Sequence, residues 1–520
     1  MLEPLPHQIE GARYFAPLGK GILADDMGLG KGGTFLNWLR LRNAQRTLVT
    51  GPKEITSNLL KEIPKWTVDR PLIDLRGYGQ AQRDTLFELL GTFNSFIAVL
   101  NFDAWRRDHA TISRLVSLKL DSVVIDEAHH LNNGRTLAYK GLREIIYAYN
   151  QCPECTFPVT PVYTCRRQKC TRIGERFSSR YCIACGHIAT TIAIPRCEIC
   201  GCDPRTNLAK ARSVKSVLEV TGTPVLNHIK NFFWLLSLVD ESFKSERDFL
   251  DEYGIPVAGN KYVWSKQGKE KLVKRIAPLY LARTRKDAGI RLPPQSIEIR
   301  EYDFDKTRYP EQWKAYRRLE DEFKLDVESE TLGITEVVVQ LLRLRQMLIW
   351  PKSIPGVGIE KSFKMDIITT LAQEFLEAGQ RLVVFSHFKE PLRELHRRLG
   401  LTSVVYDGST SHNMREAIRD DFSAGNAKAR WDAVLCNYRS AGEGLNLVGA
   451  TQTIIMDEDW SPGKNQQAYR RTDRMGQTQE TGVHIPRILD TVDVWLADLN
   501  TFKSTIDSSA ILEAMEKMSL

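Results

Sequence analysis

A glycine-rich loop ending in lysine and a pair of adjacent carboxylates are the residues of this chain best suited to phosphate chemistry. Asp25-Asp26-Met27-Gly28-Leu29-Gly30-Lys31 follows an apolar run, Gly21-Ile22-Leu23-Ala24, and leads into a helical stretch from Phe35 to Arg42. Glycines let backbone N–H groups approach phosphate oxygens, and a helix N-terminus adds positive potential. Lys31 is placed to neutralise the β and γ phosphates of a nucleoside triphosphate. The bland alternative is a glycine-rich turn with an unrelated lysine. A second apolar run, Val123-Val124-Ile125, ends in Asp126-Glu127-Ala128-His129. Here Asp126 is suited to hold Mg²⁺, and Glu127 to orient or deprotonate an attacking water. An acidic strand end alone means little; downstream of a phosphate loop it points to ATP hydrolysis.

Between these carboxylates and Thr221-Gly222-Thr223-Pro224 lies a cysteine-rich segment with four close pairs: Cys152/Cys155, Cys165/Cys170, Cys182/Cys185 and Cys197/Cys200. Two thiolates on one tight turn converge on a tetrahedral ion, so eight of them match two Zn²⁺ sites with four cysteines each. Sequential and crossed pairings both remain open, with Cys202 and His187 as spare donors. The same segment carries Arg166, Arg167, Lys169, Arg172, Arg176, Arg180, Arg196 and Arg205, with Tyr163, Phe177 and Tyr181 among them. A basic patch with aromatics suits contacts to DNA phosphates and bases. A structural clip closing a long loop, or a docking site for a recruiting protein, are the other readings. Cys436 stands alone in an apolar run and is expected in a core.

The elements that must position these groups read as α/β. Short apolar strands at 21–24, 47–50, 97–100, 123–125 and 218–220 alternate with helical stretches, and the pattern returns at 382–385, 403–406, 434–435 and 453–456. Such alternation predicts parallel sheets covered on both faces. Residues 241–340 are charged and helical by pattern, as in Tyr309 to Val327. The expected organisation is a first lobe over 1–240, interrupted by a zinc-ribbon insertion at 150–205. A helical region that also carries the end of the first lobe follows at 241–345, then a second lobe at 346–490 and a helical segment at 491–520. The chain has 520 residues, 42% of them hydrophobic and 26% charged, and a net charge of +8. That balance is globular and mildly basic, compatible with nucleic acid. No run is apolar enough to span a bilayer, and Met1-Leu2-Glu3-Pro4-Leu5-Pro6 does not read as a secretory leader. The expected location is intracellular: cytoplasm or nucleoid in a bacterial or viral setting, with the nucleus also open.

The ordered motifs resemble those of superfamily 2 helicase-like ATPases of the SWI/SNF, chromatin-remodeller type. Leu5 to Gly11 is similar to the family's opening motif, Gly21 to Lys31 to motif I, Asp126 to His129 to motif II, and Thr221 to Asn227 to motif III. Leu281 to Asp287, followed by Leu292-Pro293-Pro294, resembles the end of the first lobe. Val384 to Phe388 is like motif IV, Ser440 to Leu447 like motif V, and Gln467 to Gln477 like motif VI. The resemblance implies two RecA-like P-loop lobes with a nucleotide cleft between them. It implies that Gln8, Asp25, Met27, Gly28, Leu29, Gly30, Lys31, Gly32 and Gly444 bind ATP. It further implies that Lys31, Asp126 and Glu127 act in hydrolysis with Mg²⁺, and that motif V and motif III (Thr221, Thr223) couple DNA to nucleotide. Arg471 and Arg474 are the implied arginine fingers, and a spacing of three places both on one helix face. The implied function is a DNA-stimulated ATPase that translocates along duplex DNA as a monomer. A strand-separating helicase and a hydrolysis-poor nucleotide-dependent DNA scaffold are the alternatives.

Two positions depart from that pattern. Gly32 stands where the family has threonine, whose hydroxyl is a Mg²⁺ ligand. Thr34 is the nearest hydroxyl, but about 100° per residue turns it away from that position. The expectation is a cation held by Asp126, phosphates and water alone, with slower hydrolysis. Asp473 stands where the family often has histidine, either pairing with a neighbouring arginine or lying harmlessly on the surface.

Overall fold

The computed structural model describes residues 2–66, 70–104, 109–131, 133–147, 149–151, 158–159, 162–164, 176–177, 190–193, 209–211, 214–222, 229–257, 261–328, 334–423, 429–441, 445–498 and 500. The chain divides into two compact units between Gly289 and Ile290. Among the described residues no helix is long and apolar enough to cross a membrane.

The first unit opens with helix α1 (Pro6–Phe15), then strand β1 (Lys20–Leu23), helix α2 (Lys31–Leu41), strand β2 (Arg46–Gly51) and helix α3 (Lys53–Trp66). Strands β3 (Leu72–Asp74), β4 (Phe96–Asn101) and β5 (Ser122–Asp126) follow. Next come six short strands: β6 (Tyr149–Gln151), β7 (Pro158–Val159), β8 (Val162–Thr164), β9 (Arg176–Phe177), β10 (Thr190–Ala193) and β11 (Ala209–Ala211). The unit continues with β12 (Ser216–Val220), the antiparallel pair β13 (Gly254–Val257) and β14 (Lys261–Trp264), and β15 (Tyr280–Leu281). Its main sheet is parallel throughout, in the order β15-β1-β12-β5-β2-β4-β3.

The apolar runs of this sheet are explained by burial on both faces. Successive residues of a strand point to opposite sides. Thus Ile22, Leu48, Val123 and Val217 join one hydrophobic core, while Leu23, Val49, Val124 and Leu218 join the other. A fully covered parallel sheet needs apolar side chains at both parities, and the sequence supplies them.

The six short strands form two small antiparallel sheets, β11-β6-β7 and β10-β8-β9. Pairing of β6 with β11 brings the entry and exit of the insertion together, with Tyr149 opposite Ala211. The eight paired cysteines, Cys202 and His187 lie outside the described residues.

The second unit holds β16 (Gln295–Tyr302), β17 (Leu382–Ser386), β18 (Ser403–Tyr406), β19 (Ala433–Asn437), β20 (Gln452–Ile455) and β21 (Thr481–Ile488). They form a second all-parallel sheet in the order β16-β21-β20-β17-β19-β18. Here too neighbours alternate between two cores: Val383, Phe385, Val434 and Cys436 on one side, Leu382, Val384, Ala433 and Leu435 on the other. Cys436 is a buried free thiol, as its apolar setting predicts. Helix Ile334–Ile349 is tied to this sheet by a buried ion pair, Arg345 Nη2 to Asp457 Oδ2 at 2.9 Å.

Residues 241–345 span the division between the two units. They contain the β13–β14 pair, and backbone hydrogen bonding divides them. β15 pairs with β1 in the first sheet and β16 pairs with β21 in the second. Their high charge comes from solvent-facing positions of helices such as Lys266–Ile276 and Pro310–Glu328, which gave the whole stretch one character.

Candidate active site

Three strand ends define the site. Leu23 of β1 is in register with Val220 of β12, and Val220 with Asp126 of β5. The segments following β1, β12 and β5 therefore emerge side by side at the carboxyl edge of a parallel sheet, the usual place for ligands in α/β folds. These are Asp25–Lys31, Thr221-Gly222 and Asp126–His129.

The phosphate loop is shaped by both ends of the first unit. Gly28 and Gly30 have φ of 89° and 65°, in the left-handed region that glycine enters without a Cβ penalty. Gly30 is the N-cap of α2, so Lys31 begins the helix. From α1, Gln8 Nε2 donates to Gly30 O at 2.9 Å and His7 Nε2 meets Leu29 O at 2.8 Å. After β15, Arg283 Nε and Nη2 donate to the two oxygens of Asp25 at 3.0 and 2.6 Å, and Nη1 donates to His7 O at 2.6 Å. The Asp25 side chain is fully buried. Arg285 donates to Met27 O at 3.2 Å. Asp25 thus fixes the loop from behind, and Gln8 has amide groups engaged with Gly30 O and the Leu5 N–H. Lys31 Nζ donates to the carbonyls of Asp25 and Asp26, at 3.1 and 3.3 Å. Gly222 leaves room for it: a Cβ there would lie 3.1 Å from Lys31 Nζ and 2.8 Å from Met27.

Glu127 turns the chain with φ of 47°, a left-handed value that costs a non-glycine residue about 1–2 kcal/mol. Its N–H donates to Asp126 Oδ1 at 2.9 Å. His129 Nδ1 lies 3.2 Å from Glu127 Oε2 and 3.2 Å from Thr221 Oγ1, linking motif II to motif III through one imidazole nitrogen. Burial opposes the Glu127 charge, but the His129 hydrogen bond and charge, then Lys31, outweigh it and hold the carboxyl down at about 2. Asp126 moves the other way. Burial and the Glu127 charge push it up to about 7 despite Lys31, and Glu62 adds to the rise. A pocket of oxygen donors short of positive charge fits a hard cation such as Mg²⁺.

Glu62 was not singled out by sequence. It lies on α3, and a Cβ placed on Gly32 would sit 2.8 Å from its Oε1. A Cβ on Gly33 would sit 2.7 Å from Trp66, one helical turn further on, and 2.8 Å from Gln8. Burial raises the Glu62 carboxyl, with Lys65 and the Trp66 indole pulling the other way. The glycine pair therefore admits α3 and α1 to the first turn of α2. Thr34 is buried with its methyl directed at Gly11 of α1, away from this contact. The only sequence signal for Glu62 was its spacing of four from Trp66.

Motif VI differs from the expected helical arrangement. Helix Pro462–Tyr469 ends before either arginine, and Arg471 and Arg474 occupy the turns that follow. Arg471 N bonds to Ala468 O, an i−3 contact, and Gly476 at φ of 102° turns the chain again. The two side chains differ in burial and in their contacts. Arg471 is buried, with Nη1 donating to Leu445 O at 3.0 Å, whereas Arg474 is half-buried with Nε donating to Arg470 O at 3.2 Å. Asp473 is buried, which removes the surface reading. Gly444 and Thr223 lie outside the described residues.

A parallel-sheet unit bearing a phosphate loop, an acidic pair and a third motif on adjacent strands, joined to a second such unit, defines a helicase-like nucleotide-dependent core. The sequence profile of the SNF2-related domain matches residues 7–152 and 205–352, and that of the helicase conserved C-terminal domain matches 364–476. The chain belongs to the SNF2-related family. Among similar proteins, the ISWI chromatin-remodeling complex ATPase ISW1 of Saccharomyces cerevisiae is 24% identical over 92% of this chain and 38% of its own length. The CHD3-type chromatin-remodeling factor CHR7 of Arabidopsis thaliana is 23% identical over 92% of this chain and 35% of its own. The chain thus spans well under half of these relatives. The Sulfolobus solfataricus SWI2/SNF2 ATPase core in complex with dsDNA is 21% identical, covering 98% of this chain and 94% of that one, with a TM-score of 0.39. The family profile passes over residues 153–204, within the cysteine-rich insertion.

Replacing Arg283 with alanine leaves the Asp25 carboxylate buried without its partner, a loss of about 3–5 kcal/mol. Urea unfolding should show this destabilisation, and binding of a fluorescent ADP should weaken with it. Arg283→Lys should not restore either, because a lysine lacks the two-pronged fork.

Proposed function

We propose that this chain is an ATP-dependent motor that translocates along duplex DNA. The observation that carries the reading is the convergence of Lys31, Asp126, Glu127, His129 and Thr221 at the ends of three adjacent parallel strands. In this reading Lys31 leaves the loop carbonyls for the β and γ phosphates. Glu127, kept ionised beside His129, accepts the proton of the water that attacks the γ-phosphorus as the bond to the β-phosphate oxygen breaks. Asp126 holds Mg²⁺, which when bound neutralises phosphate charge. His129, touching both Glu127 and Thr221, relays the state of the acidic pair to motif III. Duplex DNA as the track is supported by the family and by chromatin-remodeling relatives. Displacement of a third strand from a triplex tests it. ATP should drive displacement, and Glu127→Gln should abolish it while ATP stays bound. Unwinding of a forked duplex instead would favour the strand-separating reading.

The insertion at 150–205 is proposed to bind two Zn²⁺ through Cys152, Cys155, Cys165, Cys170, Cys182, Cys185, Cys197 and Cys200. Supporting this is the close spacing of the four cysteine pairs, since two thiolates on one tight turn can converge on a single ion. Metal analysis of the purified chain should give two zinc ions per molecule. Joint substitution of Arg166, Arg167 and Lys169 should weaken DNA binding and flatten its salt dependence. Unchanged binding would leave the insertion as a clip or a docking site for a recruiting protein.

A further inference from the structure

The missing hydroxyl at Gly32 and the unassigned carboxylate of Glu62 meet at one point. A Cβ on Gly32 would lie 2.8 Å from Glu62 Oε1, 3.1 Å from its Cδ and 3.3 Å from its Oε2. Both carboxylate oxygens thus stand in the volume that a side chain at position 32 would enter. We infer that Glu62 is a ligand of the nucleotide-bound cation, standing in for the hydroxyl that Gly32 lacks. This rests on the proposed nucleotide site and departs from a cation held by Asp126, phosphates and water alone.

The placement of Glu62 is built into the packing. Ile55, Leu59 and Ile63 of α3 are buried in the core beneath the sheet, which fixes the rotation of the helix. Glu62 and Trp66 then share one face, as residues four apart do, and that face meets Gly32 and Gly33 at the start of α2. A larger residue at 33 would meet Trp66 and Gln8, and one at 32 would push the carboxylate aside. The two glycines weaken the first turn of α2, and this contact is what they make possible.

The exchange of a hydroxyl for a carboxylate has a chemical consequence. Mg²⁺ is commonly bound by one or two carboxylates together with substrate phosphates. Asp126 and Glu62 supply two, from β5 and α3. Without the cation, Glu62 instead adds negative charge where phosphates must bind. Nucleotide affinity in this chain should therefore depend on divalent metal more steeply than it would with a neutral ligand.

The test is Mn²⁺ binding to the full chain in the presence of ADP, read by electron paramagnetic resonance, with ADP affinity measured separately in EDTA. Neither readout requires turnover or DNA. Glu62→Gln is close to isosteric and should weaken Mn²⁺ by at least about tenfold, while ADP in EDTA binds as well as or better than to the wild type. Retained ADP binding also reports a folded site. In a separate pair, adding Gly32→Ser to Glu62→Ala should recover part of the Mn²⁺ affinity lost in Glu62→Ala, because truncation at 62 vacates the space that a hydroxyl at 32 would enter. Wild-type Mn²⁺ affinity in Glu62→Gln would overturn the inference and leave the nucleotide site standing. A wild-type chain that binds no ADP with or without metal would overturn both.

Discussion

Arg283 grips both oxygens of Asp25, and its remaining nitrogen reaches the carbonyl of His7. Asp25 is fully buried, so its charge is tolerable only with this partner. The contact joins residues 258 apart in sequence. It works alongside backbone bonds from Ala24 N to Leu281 O and from Asp26 N to Arg283 O, which extend the β1–β15 pairing into the phosphate loop. What the loop does next follows from that anchorage. Gly28 and Gly30 hold left-handed conformations, α2 starts at Lys31, and the lysine amine is directed at the loop carbonyls beside Gly222.

Electrostatics then sets the acidic side of the site. Two adjacent buried carboxylates cannot be equally comfortable as anions. Here His129 resolves the competition by siding with Glu127, which leaves Asp126 carrying the strain of burial and of its neighbour's charge. Glu62 sharpens the same shortage of positive charge. A local flaw, two glycines in the first turn of a helix, coincides with this concentration of carboxylates. Breaks in local helix preference of this kind tend to mark functional sites.

The sequence made the buried strands legible and the edges obscure. Runs such as Thr47–Thr50 and Leu382–Phe385 are apolar because the central strands are covered on both faces, and they lie within β2 and β17. β16, at the edge, mixes Ser296, Glu298 and Arg300 with Ile297 and Ile299, much of it solvent-exposed, and no apolar run announces it. β21 is almost wholly buried, yet His484, Pro486 and Arg487 disguise it. The phosphate loop and the acidic pair could be read because their chemistry is compressed into short segments. The arginines of motif VI show the limit: spacing alone assumes the helix continues, whereas it ends at Tyr469 and both arginines lie beyond it. Glu62 and Arg283 depend on tertiary packing, which brings α3 and the segment after β15 to the loop, and no local pattern encodes that.

The most direct test of a hydrolysing, duplex-driven site is the steady-state ATPase rate with no nucleic acid, with single strands and with duplex, at fixed salt and Mg²⁺. The geometry of Lys31, Asp126 and Glu127 predicts turnover that rises strongly with duplex and is lost in Lys31→Ala. ATP bound firmly but not hydrolysed under any of the three conditions would contradict it, and would make the chain a nucleotide-dependent scaffold.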